Sequence, residues 1–137
     1  MIIDTHLRTI RYAVAGHPSP LVVDHGSGAV EPLISEDQPT PAAGLLPDTV
    51  YPGMEYAIEK PQTLLLYTDG VTEAQNPKED EFGTQRLIRM VESYCREQSR
   101  IGLPEYLLEG LDSFMDTSVA LDDICLVSID IGRGSKK

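Results

Sequence analysis

The chain has 137 residues, of which 41% are hydrophobic and 24% are charged, so it is long enough for one domain with a buried core. Its 22 acidic and 11 basic residues give a formal net charge of −11, which argues against non-specific binding to nucleic acid or to anionic lipid. No apolar run approaches the roughly 20 residues that a membrane span needs, and no secretory signal pattern opens the chain. We therefore expect a cytoplasmic protein with no nucleic-acid partner and no membrane span.

The first third of the sequence predicts two β-hairpins. Residues 1–3 are apolar and residues 9–15 alternate between apolar and polar side chains, so we expect these two segments to pair as strands. Residues 21–23 and 29–33 are also strand-like, and they flank a glycine-containing turn. Residues 35–53 then form a long, proline-punctuated segment, and loops of that length are often functional.

The centre of the chain holds its most informative stretch, residues 63–74. Residues 54–58 predict a strand with one polar face, and residues 63–67 predict the next strand, buried on both faces. That second strand runs into Asp69-Gly70, where glycine permits a sharp turn with positive φ. A carboxylate held at the end of a rigid strand suits Mg²⁺ or Mn²⁺, but by spacing alone a polar turn that merely caps the strand is the favoured interpretation.

The last part of the chain predicts two amphipathic helices and a final strand. Apolar residues recur at helical spacing after Gly83 and again after Pro104, and residues 124–131 alternate as a strand. Strands followed by two helices and a strand indicate an α+β fold. Cys95 and Cys125 lie within these apolar patterns, so we expect both to be buried thiols of a reducing compartment. Residues 133–137 are expected to form a disordered tail.

Acidic residues precede this final strand as well. If it lies antiparallel to residues 63–67, then Asp69 and Asp122-Asp123 meet at one end of the sheet. Converging carboxylates repel each other unless a cation or a proton lies between them. A loop that Asp122 and Asp123 simply cap is the alternative, and these residues alone do not decide between the two.

Several motifs occur in the order typical of one enzyme family. They are LRTIRYAVAGHP at 7–18, GLLPD at 44–48, LLYTDGVTEA at 65–74, FG with RL at 82–87, and DDI at 122–124. Together they resemble the C-terminal part of the SpoIIE-like branch of the PPM-type metal-dependent Ser/Thr phosphatases, the protein phosphatase 2C superfamily. The resemblance covers nearly the whole chain.

This resemblance implies an α-β-β-α sandwich with two Mn²⁺ or Mg²⁺ ions at one end of its sheets. It implies hydrolysis of phosphoserine or phosphothreonine in a regulatory protein, such as an anti-sigma-factor antagonist, by metal-bound hydroxide. Asp69 and Asp122 match the family's terminal metal ligands, with Asp123 as the alternative to Asp122. Gly70 and Glu73 are further candidates near the metal, and Thr72 is a supporting turn residue. No side chain is assigned as catalytic, and His17 is left out of that set.

The family's first half, with its metal-bridging aspartate, has no counterpart here. Residues 1–132 are thus expected to be the C-terminal portion of such a domain, either as a fragment, a truncated frame or a degenerate relative. We expect at most one weakly bound ion, little activity of the chain alone, and self-association as a dimer through unpaired strand edges and an uncovered apolar sheet face. A non-catalytic interaction module that keeps part of the fold is the alternative function.

Overall fold

The structure is a computed structural model that describes residues 1–34, 40–97 and 100–132. The expected tail at 133–137 and part of the expected long loop, at 35–39, lie outside the described residues. The secondary structure elements, in chain order, are β1 (Ile2–Asp4), β2 (Thr9–Tyr12), β3 (Leu21–Asp24), β4 (Val30–Pro32), β5 (Met54–Ala57), β6 (Gln62–Tyr67), α1 (Asp69–Thr72), α2 (Thr84–Glu97), α3 (Leu103–Met115) and β7 (Leu126–Ile131).

The strands form two antiparallel sheets. One has the order β1-β2-β5 and the other has the order β4-β3-β6-β7. Both expected hairpins are present, since β1 pairs with β2 and β3 pairs with β4. Strands β5 and β6 follow each other along the chain but lie in different sheets, because the connection crosses between the sheets with Ile58 buried in the core. The hydrophobic pattern predicted both strands, but it did not predict that they lie in different sheets.

Strand β6 is one of the two inner strands of the larger sheet, and both of its faces are covered. Leu64 and Leu66 belong to the core between the two sheets, whereas Leu65 and Tyr67 belong to the core beneath the helices. Because successive side chains of a strand point to opposite faces, a run of apolar residues fills both cores at once. The prediction of a strand buried on both faces is confirmed.

Helices α2 and α3 cover the outer face of the larger sheet. Their apolar stripes bury Leu87 and Val91 of α2 and Leu107 and Leu111 of α3. Helix α3 begins at Leu103 with a proline in its first turn, as predicted, because proline lacks an N–H that the first turn leaves unpaired. The small sheet, the large sheet and the helix pair are therefore three successive layers of the expected α+β sandwich.

The outward face of the small sheet corrects one expectation. Arg11 pairs across with Glu55 and with Ile2 on this face, and both charged residues are exposed. An uncovered apolar face was expected here, but the outward positions are mostly polar and the apolar positions of β2 point into the core. Self-association through this face would therefore bury charged side chains, which is unfavourable.

Two further expectations near the final strand are wrong in detail. Strand β7 begins at Leu126 rather than at Ile124, and the Cys125 side chain is exposed rather than buried. Cys95 is half-buried. Among the described residues, no helix combines the length and the apolar character needed to cross a membrane.

Candidate metal site

The first acidic segment follows strand β6 directly. Thr68 leaves the strand, and Asp69 opens the short helix α1 with its carboxylate exposed. The Gly70 N–H donates to Oδ1 of Asp69 over 3.1 Å. The Thr72 hydroxyl and the Glu73 N–H both donate to the Asp69 carbonyl, over 3.1 Å and 2.8 Å. Thr72 thus supports the backbone of Asp69, as expected of a turn residue.

The second acidic segment reaches the same place through the pairing of β6 with β7. Tyr67 is opposite Leu126 in the ladder, and the Thr68 N–H extends it by donating to the Cys125 carbonyl over 3.1 Å. Asp122 and Asp123 lie just beyond, with the Asp123 N–H donating to Oδ1 of Asp122 over 2.7 Å. The antiparallel pairing that was the condition for the two acidic segments to meet is therefore present in the structure.

Gly70 is the point of closest approach between the two acidic segments. A Cβ at Gly70 would lie 2.6 Å from the carbonyl oxygen of Asp123 and 3.2 Å from the carbonyl carbon of Asp122. The expected positive φ is not found, because Gly70 lies in helix α1 and not in a left-handed turn. Glycine is needed here for close backbone approach, which is a different reason from the one that the sequence suggested.

The donor atoms fit a divalent cation in kind. Asp69 and Asp122 each have Oδ1 held by a neighbouring N–H, and neither Oδ2 accepts a hydrogen bond from the described parts of the chain. Carboxylate oxygen is the hard, anionic donor that Mg²⁺ and Mn²⁺ prefer. The residues present therefore suit such an ion as part of its coordination shell.

The donors are too few to complete that shell. Asp69 and Glu73 line one cleft of about 470 Å³, whereas Asp122 and Asp123 line a separate shallow hollow of about 430 Å³. Across residues 1–34, 40–97 and 100–132, no group of three or more His, Cys, Asp or Glu side chains could hold a metal ion. The structure brings the two backbone segments together without assembling a full set of ligands.

The cleft beside Asp69 also contains His17. Its other walls carry the hydroxyl residues Thr72 and Thr84 and the apolar side chain of Ile88. The His17 ring is exposed, and its Nδ1 lies 3.0 Å from the carbonyl oxygen of the next residue, a proline. The sequence argument left His17 out of the catalytic set, and the structure places it in the cleft that Asp69 shares.

The opposite end of strand β6 carries polar groups that the sequence argument did not connect. The Thr63 hydroxyl donates to Oδ1 of Asp130 and lies 2.6 Å from Nε2 of His25. Nearby, the Lys60 ammonium donates to the Asp24 carboxylate, and with the Gly26 N–H it holds the pKa of that carboxyl well below its usual range. The sequence argument placed these residues in turns or strands. It did not connect them with one another, because their partners are distant in sequence.

Thr68 is the residue near Asp69 that the sequence argument missed. Its side-chain hydroxyl donates to the Asp123 carbonyl over 2.7 Å and accepts the Cys125 N–H over 3.0 Å. The signal in the sequence is slight, since it is only a hydroxyl residue between a buried strand and Asp-Gly.

Comparison with known families gives a match over almost the entire chain. Residues 1–132 match the model of the family described as Stage II sporulation protein E (SpoIIE). Protein IcfG of Synechocystis sp. is 28% identical over 128 residues, which are 93% of this chain and 19% of that protein. The chain therefore spans about a fifth of the length of this curated relative.

Comparison with solved structures gives the same fold. The SiaA-PP2C domain of Pseudomonas aeruginosa superposes with a TM-score of 0.69 at 23% identity, covering 94% of this chain and 49% of that one. The phosphatase domain of the cell fate determinant SpoIIE from Bacillus subtilis superposes with a TM-score of 0.66 at 13% identity, covering 99% and 58%. The chain spans about half of each of these phosphatase domains, and at such identities the similarity concerns the fold.

Proposed function

The chain belongs to the SpoIIE family, and we propose that residues 1–132 are the C-terminal portion of a metal-dependent phosphoserine/phosphothreonine protein phosphatase domain. The fold of PP2C phosphatase domains over nearly the whole chain supports this proposal. The observation that carries it is the meeting of the Asp69 segment with the Asp122-Asp123 segment across Gly70.

Asp69 and Asp122 are the side chains proposed to hold the metal ion. Each would bind through Oδ2, because Oδ1 is already oriented by a neighbouring N–H. Asp123 is the alternative to Asp122, and Glu73 lies in the cleft beside Asp69, where it can orient a water. A bound Mn²⁺ or Mg²⁺ would lower the pKa of a water molecule and neutralise the charge of the phosphoryl group. The protein would position the two carboxylates by holding their backbone segments together through hydrogen bonds.

The metal is proposed as Mn²⁺ or Mg²⁺, and one ion at most binds to this chain. PP2C phosphatases are generally metal-dependent, and one of the similar structures is the Bacillus subtilis phosphatase domain presoaked with Mn. Two carboxylates with water make an incomplete shell, which binds divalent ions only at high concentration. The two ions of a complete family site would need further ligands.

The substrate is proposed to be a phosphorylated regulatory protein, such as an anti-sigma-factor antagonist, in the cytoplasm. The family match supports a regulatory protein as substrate, and Cys95 and Cys125, which lie far apart in the sequence without metal-ligand or redox spacing, suit a reducing compartment. The alternative is a non-catalytic interaction module. It is favoured by one observation, the lack of any group of three metal-binding side chains among the described residues.

Binding of Mn²⁺ to the two aspartates is the direct test of the proposed site. A ligand that binds only the folded state raises its melting temperature by mass action, so the thermal midpoint should rise at millimolar Mn²⁺. Asp69→Asn and Asp122→Asn each remove an anionic ligand and should abolish that rise. Differential scanning calorimetry with and without Mn²⁺ measures it.

Asp112→Asn is the matched control, since Asp112 is an exposed aspartate of α3. This variant should respond to Mn²⁺ as the unchanged chain does. If Asp69→Asn and Asp122→Asn respond in the same way too, the ligand assignment is wrong.

A further inference from the structure

The side chain of Thr68 holds the two acidic segments together, and its contacts span a long stretch of sequence. Its hydroxyl donates to the carbonyl of Asp123, 55 residues away, and accepts the N–H of Cys125, 57 residues away. Thr68 is only half-buried, and it contains neither a carboxylate nor another strong metal ligand. Its contribution to a metal site would therefore be made through other residues.

The reason for this contact lies in how strand β6 ends. In a regular antiparallel ladder, hydrogen-bonded pairs alternate with non-hydrogen-bonded pairs, and the two residues of a hydrogen-bonded pair exchange both of their N–H···O=C bonds. Thr68 makes one of them, because its N–H donates to the Cys125 carbonyl over 3.1 Å. Its own carbonyl is turned away into helix α1, where it accepts the Val71 N–H over 3.1 Å. The Cys125 N–H would be left without its ladder partner.

The Thr68 hydroxyl replaces that missing carbonyl. It accepts the Cys125 N–H and extends the ladder by one bond while the backbone already turns into the helix. Thr68 is the N-cap residue of α1, but its side chain makes no capping bond to the helix. The hydroxyl is thus committed to the segment opposite, rather than to the role that threonine usually has at a helix N-terminus.

The same hydroxyl also fixes the backbone of the second acidic segment. It donates to the Asp123 carbonyl, and that oxygen is the atom that lies against Gly70. The Asp123 carbonyl is held by Thr68 on one side and limited by the Gly70 backbone on the other. The backbone at Asp123 therefore cannot move away from Gly70 without breaking the hydrogen bonds of Thr68.

We propose that Thr68 is a positioning residue that sets the affinity of the Asp69–Asp122 pair for a divalent cation. This inference rests on the proposed function, since it requires that the pair binds the metal. A cation held by two carboxylates from separate segments loses affinity when their separation is no longer fixed, because the energy of ordering them must then come from binding. Residues that orient metal ligands from behind change metal affinity by about 10- to 100-fold when replaced.

The test compares Thr68→Val with Thr68→Ser in the complete ¹⁵N-labelled chain. Valine keeps the shape of threonine and removes the hydroxyl, whereas serine keeps the hydroxyl. Paramagnetic broadening of the amide signals of residues 69–70 and 122–123 is followed during a Mn²⁺ titration. In the unchanged chain and in Thr68→Ser, both segments should broaden together at similar Mn²⁺ concentrations. In Thr68→Val the midpoint should rise by about tenfold or more.

Hydrogen exchange of the Cys125 amide supplies a readout that needs no metal. Its protection should fall in Thr68→Val and be kept in Thr68→Ser, because only valine removes the acceptor. Thr63→Val is the matched control, since it deletes a hydroxyl with two partners at the other end of the same strand. It should leave the Mn²⁺ midpoint unchanged.

Each other outcome has a definite meaning. If both segments broaden in the unchanged chain and Thr68→Val broadens at the same Mn²⁺ concentration, the positioning role is refuted and the metal site stands. If Thr63→Val weakens Mn²⁺ binding as much as Thr68→Val, general loosening explains the effect and the role of Thr68 is again refuted. If no segment of the unchanged chain responds to Mn²⁺ specifically, the proposed metal site itself fails and takes this inference with it.

Discussion

Gly70 shows how one missing Cβ can decide whether two distant segments meet. The Asp123 carbonyl occupies the space that a side chain at Gly70 would need. In an exposed helix, replacing glycine by alanine stabilises by about 1 kcal/mol, so the helix propensity alone would favour alanine at Gly70. The close backbone contact opposes that gain, and backbone cannot move aside as the end of a long side chain can.

Gly70→Ala should therefore destabilise the chain and weaken Mn²⁺ binding. We expect a loss of about 1–3 kcal/mol in the free energy of unfolding, the usual cost of overpacking a close contact. Urea denaturation measures this loss, and thermal shift with Mn²⁺ measures the effect on the site. Gly53→Ala is the control, because a Cβ there would meet no heavy atom within 4 Å and should change stability by less than about 0.5 kcal/mol. Equal effects of the two variants would contradict the contact argument.

At the scale of elements, an ion pair joins the β3–β4 hairpin to the segment that enters β6. The Asp24 carboxylate accepts a hydrogen bond from the Lys60 ammonium and another from the Gly26 N–H over 2.7 Å. It thereby closes the hairpin turn and fixes the connection between β5 and β6. The Lys60 hydrogen bond is the largest cause of the lowered pKa of Asp24, followed by the Gly26 N–H. The folded state therefore holds Asp24 ionised more strongly than the unfolded state does.

Asp24→Asn should lower stability at neutral pH, and the difference from the unchanged chain should shrink in acid. Because the folded pKa lies below the ordinary value of 3.8, the carboxylate stabilises fully above that value. As the pH falls below about 3.8, the unfolded chain takes up a proton that the folded chain does not, and this stabilisation is progressively lost. Urea denaturation at pH 7 and at pH 3 measures the difference. Asp112→Asn, on the exposed side of α3, is the control at each pH.

A gap between Asp24→Asn and the unchanged chain that stays constant from pH 7 to pH 3 would contradict this account. It would mean that Asp24→Asn lowers stability only by altering the geometry of the turn, and that the charge of Asp24 contributes nothing.

At the scale of the whole molecule, the outer edge of strand β7 pairs with no strand among residues 1–34, 40–97 and 100–132, and we propose this edge as the surface for association. Strand β7 ends the order of the larger sheet, and Val127 on it is 46% exposed. A free strand edge presents unpaired N–H and C=O groups that can pair with a second copy around a two-fold axis. The net charge of −11 opposes association, but physiological salt screens charges beyond about 8 Å.

We therefore expect a dimer that dissociates on dilution. Light scattering coupled to size exclusion at physiological salt, over a tenfold dilution, measures its mass. Val127→Lys places a charge on strand β7 and should shift the chain towards monomer, because charged side chains on an edge strand, lysine above all, disfavour pairing with a second strand. Val50→Lys is the control, since Val50 is 85% exposed in a loop away from any strand. A monomer at every concentration would contradict the prediction.

Local patterns in the sequence predict most of the strands and helices and place Asp69 at the end of β6. Alternation in β2, a continuous apolar run in β6 and helical spacing in α2 and α3 are local patterns, and each one fixes an element and the face that it buries. The order of the motifs likewise indicated the SpoIIE family, which the match over residues 1–132 confirmed.

Which elements and atoms meet depends on the tertiary structure. Local periodicity contains no information about partners, so it could not separate β5 from β6 into two sheets. The sequence placed Asp69 and Asp122 at one end of the sheet only on the condition that β7 pairs with β6. It also suggested a turn with positive φ at Gly70, whereas the structure needs glycine there for close backbone approach. The Thr68 hydroxyl has its partners 55 and 57 residues away, and such contacts exist only once the sheet has formed. A hydrogen bond between residues so distant in sequence depends on the fold, because neither residue's own neighbours specify it.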